Sequence, residues 1–384
     1  MMGFFTAPKI AFGPGAIEQL AGMGIRRALL VVDPELARRS GSARVREELA
    51  KIDASVESFE GVEIPPNLAA VKAGAERAAH LRPDTIVALG AGSTIATAKG
   101  IWVAYARPDV PLGQVTPLQE LDLRRTCRFV AIPSTGGSGT EAGWTVRLHA
   151  EGSSAIDLSS RELVADWALL DPAFSRTLPP RPTAEAGANA LALALESLAT
   201  EWGHPFSDAL ARAAVALILP ALPRAVKHPD DLEPRAALLY AAAMAGIAAA
   251  NSQVGVGEAL AQAIGDEVRL PHGRLVAALL PYVVEFNYPV AREKYATLAP
   301  AVGSAAIQHR TSLAERLWGL WESVGLPRTL ALAGANAEEL RAKVTGIVQR
   351  ASRTPSALGN PRIASPQELA QLLVAAIDGS PVTF

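Results

Sequence analysis

Over the first 180 residues, short runs of β-branched and other apolar residues alternate with longer stretches in which apolar positions recur every three or four residues. RALLVVD, SVESFEG, TIVALG and RFVAIPS have the length and composition of strands. IEQLAGM, SARVREELAKI, LAAVKAGAERAAHL and STIATAKGIWVAYA have the spacing of amphipathic helices. Such alternation predicts parallel strands joined by crossover helices in a wound sheet. After TVRLHAEG and ADWALLDP the pattern changes, and from TLPPRPTAEAG onward nearly everything is long, Ala/Leu-rich and helical, with Pro and Gly at the joints. At 384 residues the chain is long for one core. The expectation is an α/β domain over 1–180 and an all-helical domain over 181–384, with the boundary near Leu178 to Pro182.

Two stretches of the helical part qualify this picture. AALLYAAAMAGIAAANSQVGVG, residues 236 to 257, carries no charge over a membrane-like length. It is Ala-rich rather than Leu-rich and is interrupted by Asn251, Ser252 and Gln253, which fits a buried helix running into a Gly-rich turn. In GANALALALESL, residues 187 to 198, Leu191, Leu195 and Leu198 set a helical stripe with the amide of Asn189 near its expected start. An amide there ordinarily caps the helix or bonds locally.

Composition narrows the function classes. Lys+Arg 36 against Asp+Glu 38 gives a net charge of -2, which suits neither nucleic acid nor an anionic membrane as a partner. The single Cys127 excludes an internal disulfide and a cysteine zinc site, and it fits a reducing cytoplasm. MMGFFTAPKIAFGPG lacks the cationic and apolar regions of a signal peptide.

Candidate chemistry sits at the ends of strands and at one helix start. TIVALGAGSTIATAK puts Gly90, Gly92 and Ser93 between a strand and a helix, where small residues and free N–H groups suit a pyrophosphate. The GxGxxG fingerprint is not met, because Ile95 holds the third glycine position. Asp33 ends ALLVVD, where a carboxylate accepts from ribose hydroxyls and repels a 2′-phosphate; followed by Pro34, it fits a helix cap equally well. IPSTGGSGTE, with Thr135 and Ser138, is a second hydroxyl- and Gly-rich loop after a strand. In the helical part Glu258 and Gln262 lie four apart on one helix face, and His272 opens the helix of RLPHGRLVAALLPYVVEFN. A Glu and a His bind a cation or handle a proton, although a lone His at a helix start is ordinarily a cap.

In this order, PKIAFGPGAIEQL, GAGSTIATAK, PSTGGSGTE, the LxDP before TLPP, GANALALALE, LPHGRLVAALLPYVVEFN and GNPR resemble the iron-containing (group III) alcohol dehydrogenase family over nearly the whole chain. The family also includes maleylacetate reductase. The resemblance implies an NAD(P)-binding α/β domain, an all-helical domain, an active site in the cleft between them and a homodimer. It matches Asp33 to a position favouring NAD over NADP.

The resemblance also exposes departures. The family's metal ligands, one Asp and three His, align with Asn189, Leu193, Glu258 and His272, and a nearby family His aligns with Gln262. Divalent cations bind through three or four charged or imidazole donors, so no divalent metal is expected here. Ala96 replaces the Asp of the family's GGGSxxDxAK, while Lys99 remains; Ser154 aligns where many members have a Lys. Asn at the first ligand position is similar to maleylacetate reductase, which works without metal, but LPHGRL is closer to the alcohol dehydrogenases.

The expected function is a metal-independent NAD-dependent oxidoreductase interconverting a small alcohol and its aldehyde or ketone. His272 is the candidate acid or base, and Asn189 the amide that orients the oxygen. The alternatives are a nucleotide-binding pseudoenzyme, a maleylacetate reductase-like enoate or keto-acid reductase, and a lyase of the dehydroquinate synthase kind.

Overall fold

The computed structural model describes residues 4–38, 41–150 and 153–382, without the side chains of Ser153, Ser154 and Ala306. The chain forms two compact units, one of Thr6–Thr177 and one of Leu178–Phe384 together with Met1–Phe5.

The first unit holds strands β1 (Lys9–Phe12), β2 (Arg27–Val32), β3 (Ser55–Phe59), β4 (Thr85–Gly90), β5 (Arg128–Pro133), β6 (Thr145–Ala150), β7 (Ser153–Ser159) and β8 (Trp167–Leu170). Six of them make one sheet in the order β1-β8-β5-β4-β2-β3, every pair parallel. The helices are α1 (Pro34–Arg38), α2 (Gly41–Ala50), α3 (Leu68–Leu81), α4 (Gly92–Ala106) and α5 (Leu123–Thr126). The adjacent strands β2 and β4 are apolar at nearly every position because both faces are covered. Leu29, Val31, Ile86 and Ala88 pack on one face with Ile101 and Trp102. Ala28, Leu30, Val32, Val87 and Leu89 pack on the other with Leu20, Val45 and Leu49. β6 and β7 stand apart as an antiparallel hairpin.

The expected wound parallel sheet is therefore present, with one local difference. IEQLAGM lies in a 3-10 helix, Ala16–Met23, not an α-helix. It is closed at both ends by left-handed glycines, Gly15 (φ 82°) and Gly24 (φ 62°).

The second unit is helical: α6 (Pro180–Ala199), α7 (Pro205–Lys227), α8 (Leu232–Ser252), α9 (Val256–Gly265), α10 (His272–Ala296), α11 (Ala299–Val302), α12 (Ser312–Val324), α13 (Ala337–Ala351), α14 (Pro355–Leu358) and α15 (Pro366–Asp378). Pro180 and Pro182 lie in the first turn of α6, where a missing N–H costs nothing. That helix consequently starts earlier than expected, and Asn189 falls mid-helix rather than near its start. The uncharged run 236–257 is the body of α8, which ends at Ser252 and turns by 102° into α9. Among the described single helices only α7 has the length and apolarity to cross a bilayer. Ala211, Ala214, Val215, Ile218 and Leu222 commit one of its faces to the core.

Candidate active site

In the α/β unit the sequence-predicted cofactor residues gather at the carboxyl ends of adjacent strands. β3 lies on one side of β2 while β4, β5 and β8 lie on the other, so the chain reverses its direction across the sheet between β2 and β4. Ligands of open α/β sheets bind at such a switch point. Asp33 follows β2, and its backbone N–H donates to Leu89 O of β4 at 3.1 Å. Ser134, following β5, donates likewise to Gly90 O at 3.0 Å. The half-buried Asp33, Gly92, Ser93, Thr135 and Ser138, beside the buried Gly90, thus belong to one edge of the sheet.

The glycines there serve the packing of that edge. A Cβ on Gly92 would stand 2.8 Å from Ser138 Oγ, and one on Gly90 2.3 Å from Thr94 Oγ1. Ala91, ahead of α4, offers no side-chain cap, which leaves the start of a 15-residue helix suited to an anion. Lys99, fully buried on α4, ties down the second loop by donating to Thr140 O and Gly143 O, both at 2.6 Å. Burial pushes its ammonium down to about 7 and the neighbouring Glu141 carboxyl upward. Asp33 is a cap as well as a strand-end carboxylate, for Oδ1 accepts from Glu35 N at 2.8 Å and Leu36 N at 3.3 Å. The side chain of Ser154 lies outside the described residues.

In the helical unit three helices frame the other candidate residues. From Thr183 to Ala199, α6 is buried all round except at Ala186, Asn189 and Leu193. Glu185, Asn189, Leu193 and Glu196 fall on one face, and its two ends, about 16 Å apart at 1.5 Å per residue, are tied to different helices. At one end Arg274 of α10 donates to Glu185 Oε1 at 2.7 Å, and a Cβ on Gly273 would stand 2.3 Å from Glu185 O. At the other end the Glu196 carboxylate accepts from Gly257 N at 2.9 Å and Glu258 N at 3.1 Å of α9. Burial and the nearby Glu258 charge push the Glu196 carboxyl up to about 8.

The third tie joins α9 to α10. His272 Nε2 lies 3.0 Å from Glu258 Oε2, and Gln262 Nε2 donates to Glu258 Oε1 at 2.8 Å. The Glu258 and Gln262 face is as expected. His272 differs from its ordinary reading: the residue before α10 is Pro271, and the imidazole is spent on Glu258 instead of capping. An ionised carboxylate only accepts, so Nε2 carries the proton and Nδ1 is the basic atom of the neutral ring. Asn189 and Leu193 sit on α6 between the two tied ends.

Glu196 and Arg274 were not expected as site residues. A lone carboxylate in GANALALALESL, seven positions beyond Asn189, and the paired glycines of GVGE ahead of Glu258 were the available signals.

Residues 7–172 match the iron-containing alcohol dehydrogenase family, and residues 183–377 match the C-terminal part of the same family. The chain belongs to the iron-containing alcohol dehydrogenase family. It is 31% identical to the NADPH-dependent butanol dehydrogenase of Clostridium saccharobutylicum, over 99% of each chain. It is 30% identical to an alcohol dehydrogenase of Thermococcus barophilus, over 97% of this chain and 98% of that one. The iron-containing alcohol dehydrogenase of Thermococcus thioreducens superposes with a TM-score of 0.90 at 29% identity, covering 99% and 100% of the two chains. As a member of the family the protein is an alcohol dehydrogenase, an NAD(P)-dependent oxidoreductase.

The four positions that the sequence resemblance matches to the family's metal ligands, Asn189, Leu193, Glu258 and His272, present an amide, an alkyl chain, a carboxylate and an imidazole. Both oxygens of that carboxylate are engaged, one by the imidazole itself. Among the described residues no three His, Cys, Asp or Glu side chains converge as a metal-binding group. This donor set does not fit the family's cation.

Proposed function

We propose that this iron-containing alcohol dehydrogenase family member interconverts a small alcohol and its aldehyde or ketone without a metal ion, using His272 as the proton-transfer group. The single observation that carries the reading is the His272–Glu258 contact: the two potential donors are bonded to each other, as an oriented acid/base pair is. A bound nicotinamide supplies or takes the hydride. Alcohol oxidation needs the hydroxyl proton removed, and Nδ1 of the neutral His272 ring accepts it; the resulting imidazolium is stabilised by the Glu258 carboxylate on the opposite nitrogen. In the reducing direction the same proton passes back to the carbonyl oxygen. The amide of Asn189 is assigned to donate to that oxygen, the role a cation's positive charge would otherwise fill.

Asp33, Gly90, Gly92, Ser93, Thr135 and Ser138 are assigned to hold the cofactor, the helix start at Gly92 and Ser93 taking the pyrophosphate. NAD is preferred over NADP on the strength of the Asp33 carboxylate, which repels a 2′-phosphate. The butanol dehydrogenase relative is NADPH-dependent by name, so kinship does not supply this preference. A cytoplasmic homodimer completes the assignment. A single cysteine fits a reducing compartment, and light scattering tests the dimer, a monomer at micromolar concentration overturning it.

The test is His272→Ala assayed by butanal reduction with NADH, within a panel of small aldehydes and ketones. A proton-transfer role predicts a fall in kcat of about 10²- to 10⁴-fold with the NADH Kd unchanged. Turnover equal to that of the unaltered enzyme overturns the assignment, as does the absence of turnover on the whole panel.

A further inference from the structure

Glu196 is only 4% exposed, and the proposed reaction does not touch it. Its carboxylate enters the start of α9 from another helix. Gly255, immediately before α9, has no side chain with which to cap it, and a Cβ there would stand 2.8 Å from Glu196 Oε2 and 2.4 Å from Asn360 Oδ1. A Cβ on Gly257 would stand 2.7 Å from Glu196 Oε1. The two glycines therefore clear the space that the carboxylate fills.

All four leading N–H groups of α9 are taken up. Val256 N donates to Asn360 Oδ1 at 3.2 Å, Gly257 N and Glu258 N donate to Glu196, and Ala259 N donates to Gly255 O at 3.2 Å. Asn360 is itself held by Asn287 of α10 in a reciprocal amide pair, at 3.0 Å and 2.8 Å. A Ser or Asn beside the helix would cap it more simply than a buried carboxyl brought from α6. What the carboxylate adds is a fixed position for the backbone of Glu258, the residue that holds His272.

We propose that Glu196 is a positioning residue for the His272–Glu258 pair, fixing the first turn of α9 so that Glu258 meets the imidazole in one orientation. The inference rests on the reading of His272 as the proton-transfer group. A displacement of about 1 Å in such a constellation costs on the order of 10²-fold in rate, so loss of the grip acts on turnover before it acts on binding.

The experiment is a double-mutant cycle on the full-length enzyme, reading kcat and KM for butanal reduction and the Kd of NADH. The variants are Glu196→Gln, His272→Ala and the pair combined. Glu196→Gln keeps the shape of the side chain and replaces one acceptor oxygen by a donor. Its kcat is expected to fall at least tenfold with KM and NADH Kd within about twofold, and in the His272→Ala background the same change is expected to alter kcat by less than twofold. Gly257→Ala, which presses on the same contact from the other side, is expected to reproduce the loss and serves if Glu196→Gln does not fold. An equal fold-loss with and without His272, or wild-type kcat in both variants, overturns the positioning role while leaving the role of His272 standing. A His272→Ala enzyme with full turnover overturns both.

Discussion

Asp33 serves two purposes with one carboxylate. Its Oδ1 caps α1 through Glu35 N and Leu36 N, while its place beside the end of β4 puts negative charge at the switch point of the sheet. The two purposes separate in Asp33→Asn, since Asn caps as well as Asp but carries no charge. Stability is expected to stay within about 0.5 kcal/mol of the unaltered protein, while the NADPH Kd tightens at least tenfold against a nearly constant NADH Kd. Calorimetry and cofactor fluorescence titration measure both. Equal affinity of the unaltered protein for the two cofactors would sink the ribose assignment and leave Asp33 a cap alone. At this scale the sequence was legible wherever chemistry depends on a local neighbour: Pro34 announced the cap, and the spacing of Glu258 and Gln262 announced their shared face. His272 was not, because its partner lies 14 residues away on another helix and no local pattern encodes that meeting.

Gln253 is the strained joint between two elements. It ends α8 at φ 68° and ψ -179°, a region that essentially only glycine occupies without cost, and α9 departs from it at 102°. The turn is forced from its α9 side, where Asn360 and Glu196 grip the first residues of that helix and so dictate the path of the chain. Relief of about 1 to 3 kcal/mol of strain, less the ~0.5 to 1 kcal/mol that glycine costs through the unfolded chain, is therefore expected to make Gln253→Gly a net stabilisation of about 0.5 to 2 kcal/mol, read as a raised midpoint in urea denaturation with unchanged slope. A lower midpoint would mean that contacts of the Gln253 side chain outweigh the strain. Elements with a strong period were readable, including the sheet strands β2, β4 and β5 and the long helices. β1 and β7 were not, because four-residue KIAF has a weak pattern at an exposed edge and SSAIDLS pairs in a hairpin outside the main sheet. Pro180 and Pro182 read as a domain boundary, and they open α6 just inside the unit that begins at Leu178, since proline breaks a helix only beyond its first turn.

For the whole molecule, fold and catalytic chemistry have to be argued separately. A TM-score of 0.90 to a solved family member shows that the architecture survives at 29% identity, and a shared scaffold does not by itself fix a ligand set. Retaining a divalent cation would require the α6 face to supply donors at Asn189 and Leu193, and it supplies an amide and an alkyl chain. It would also require Glu258 to leave both His272 and Gln262, giving up two hydrogen bonds at 3.0 Å and 2.8 Å. Each missing or diverted ligand costs more than the 10- to 100-fold in affinity typical of losing only an outer partner, so the deficit over several positions is many orders of magnitude. The purified enzyme is accordingly expected to contain sub-stoichiometric iron and zinc by elemental analysis, and its alcohol dehydrogenase activity to survive EDTA within about twofold. Added Fe²⁺ or Zn²⁺ should then compete for Glu258 and leave turnover unchanged or lower it. Activity that vanishes on chelation and returns with Fe²⁺ would mean that Glu258 and His272 part to hold a cation, and the proton-transfer role of their hydrogen-bonded pair would fall with it.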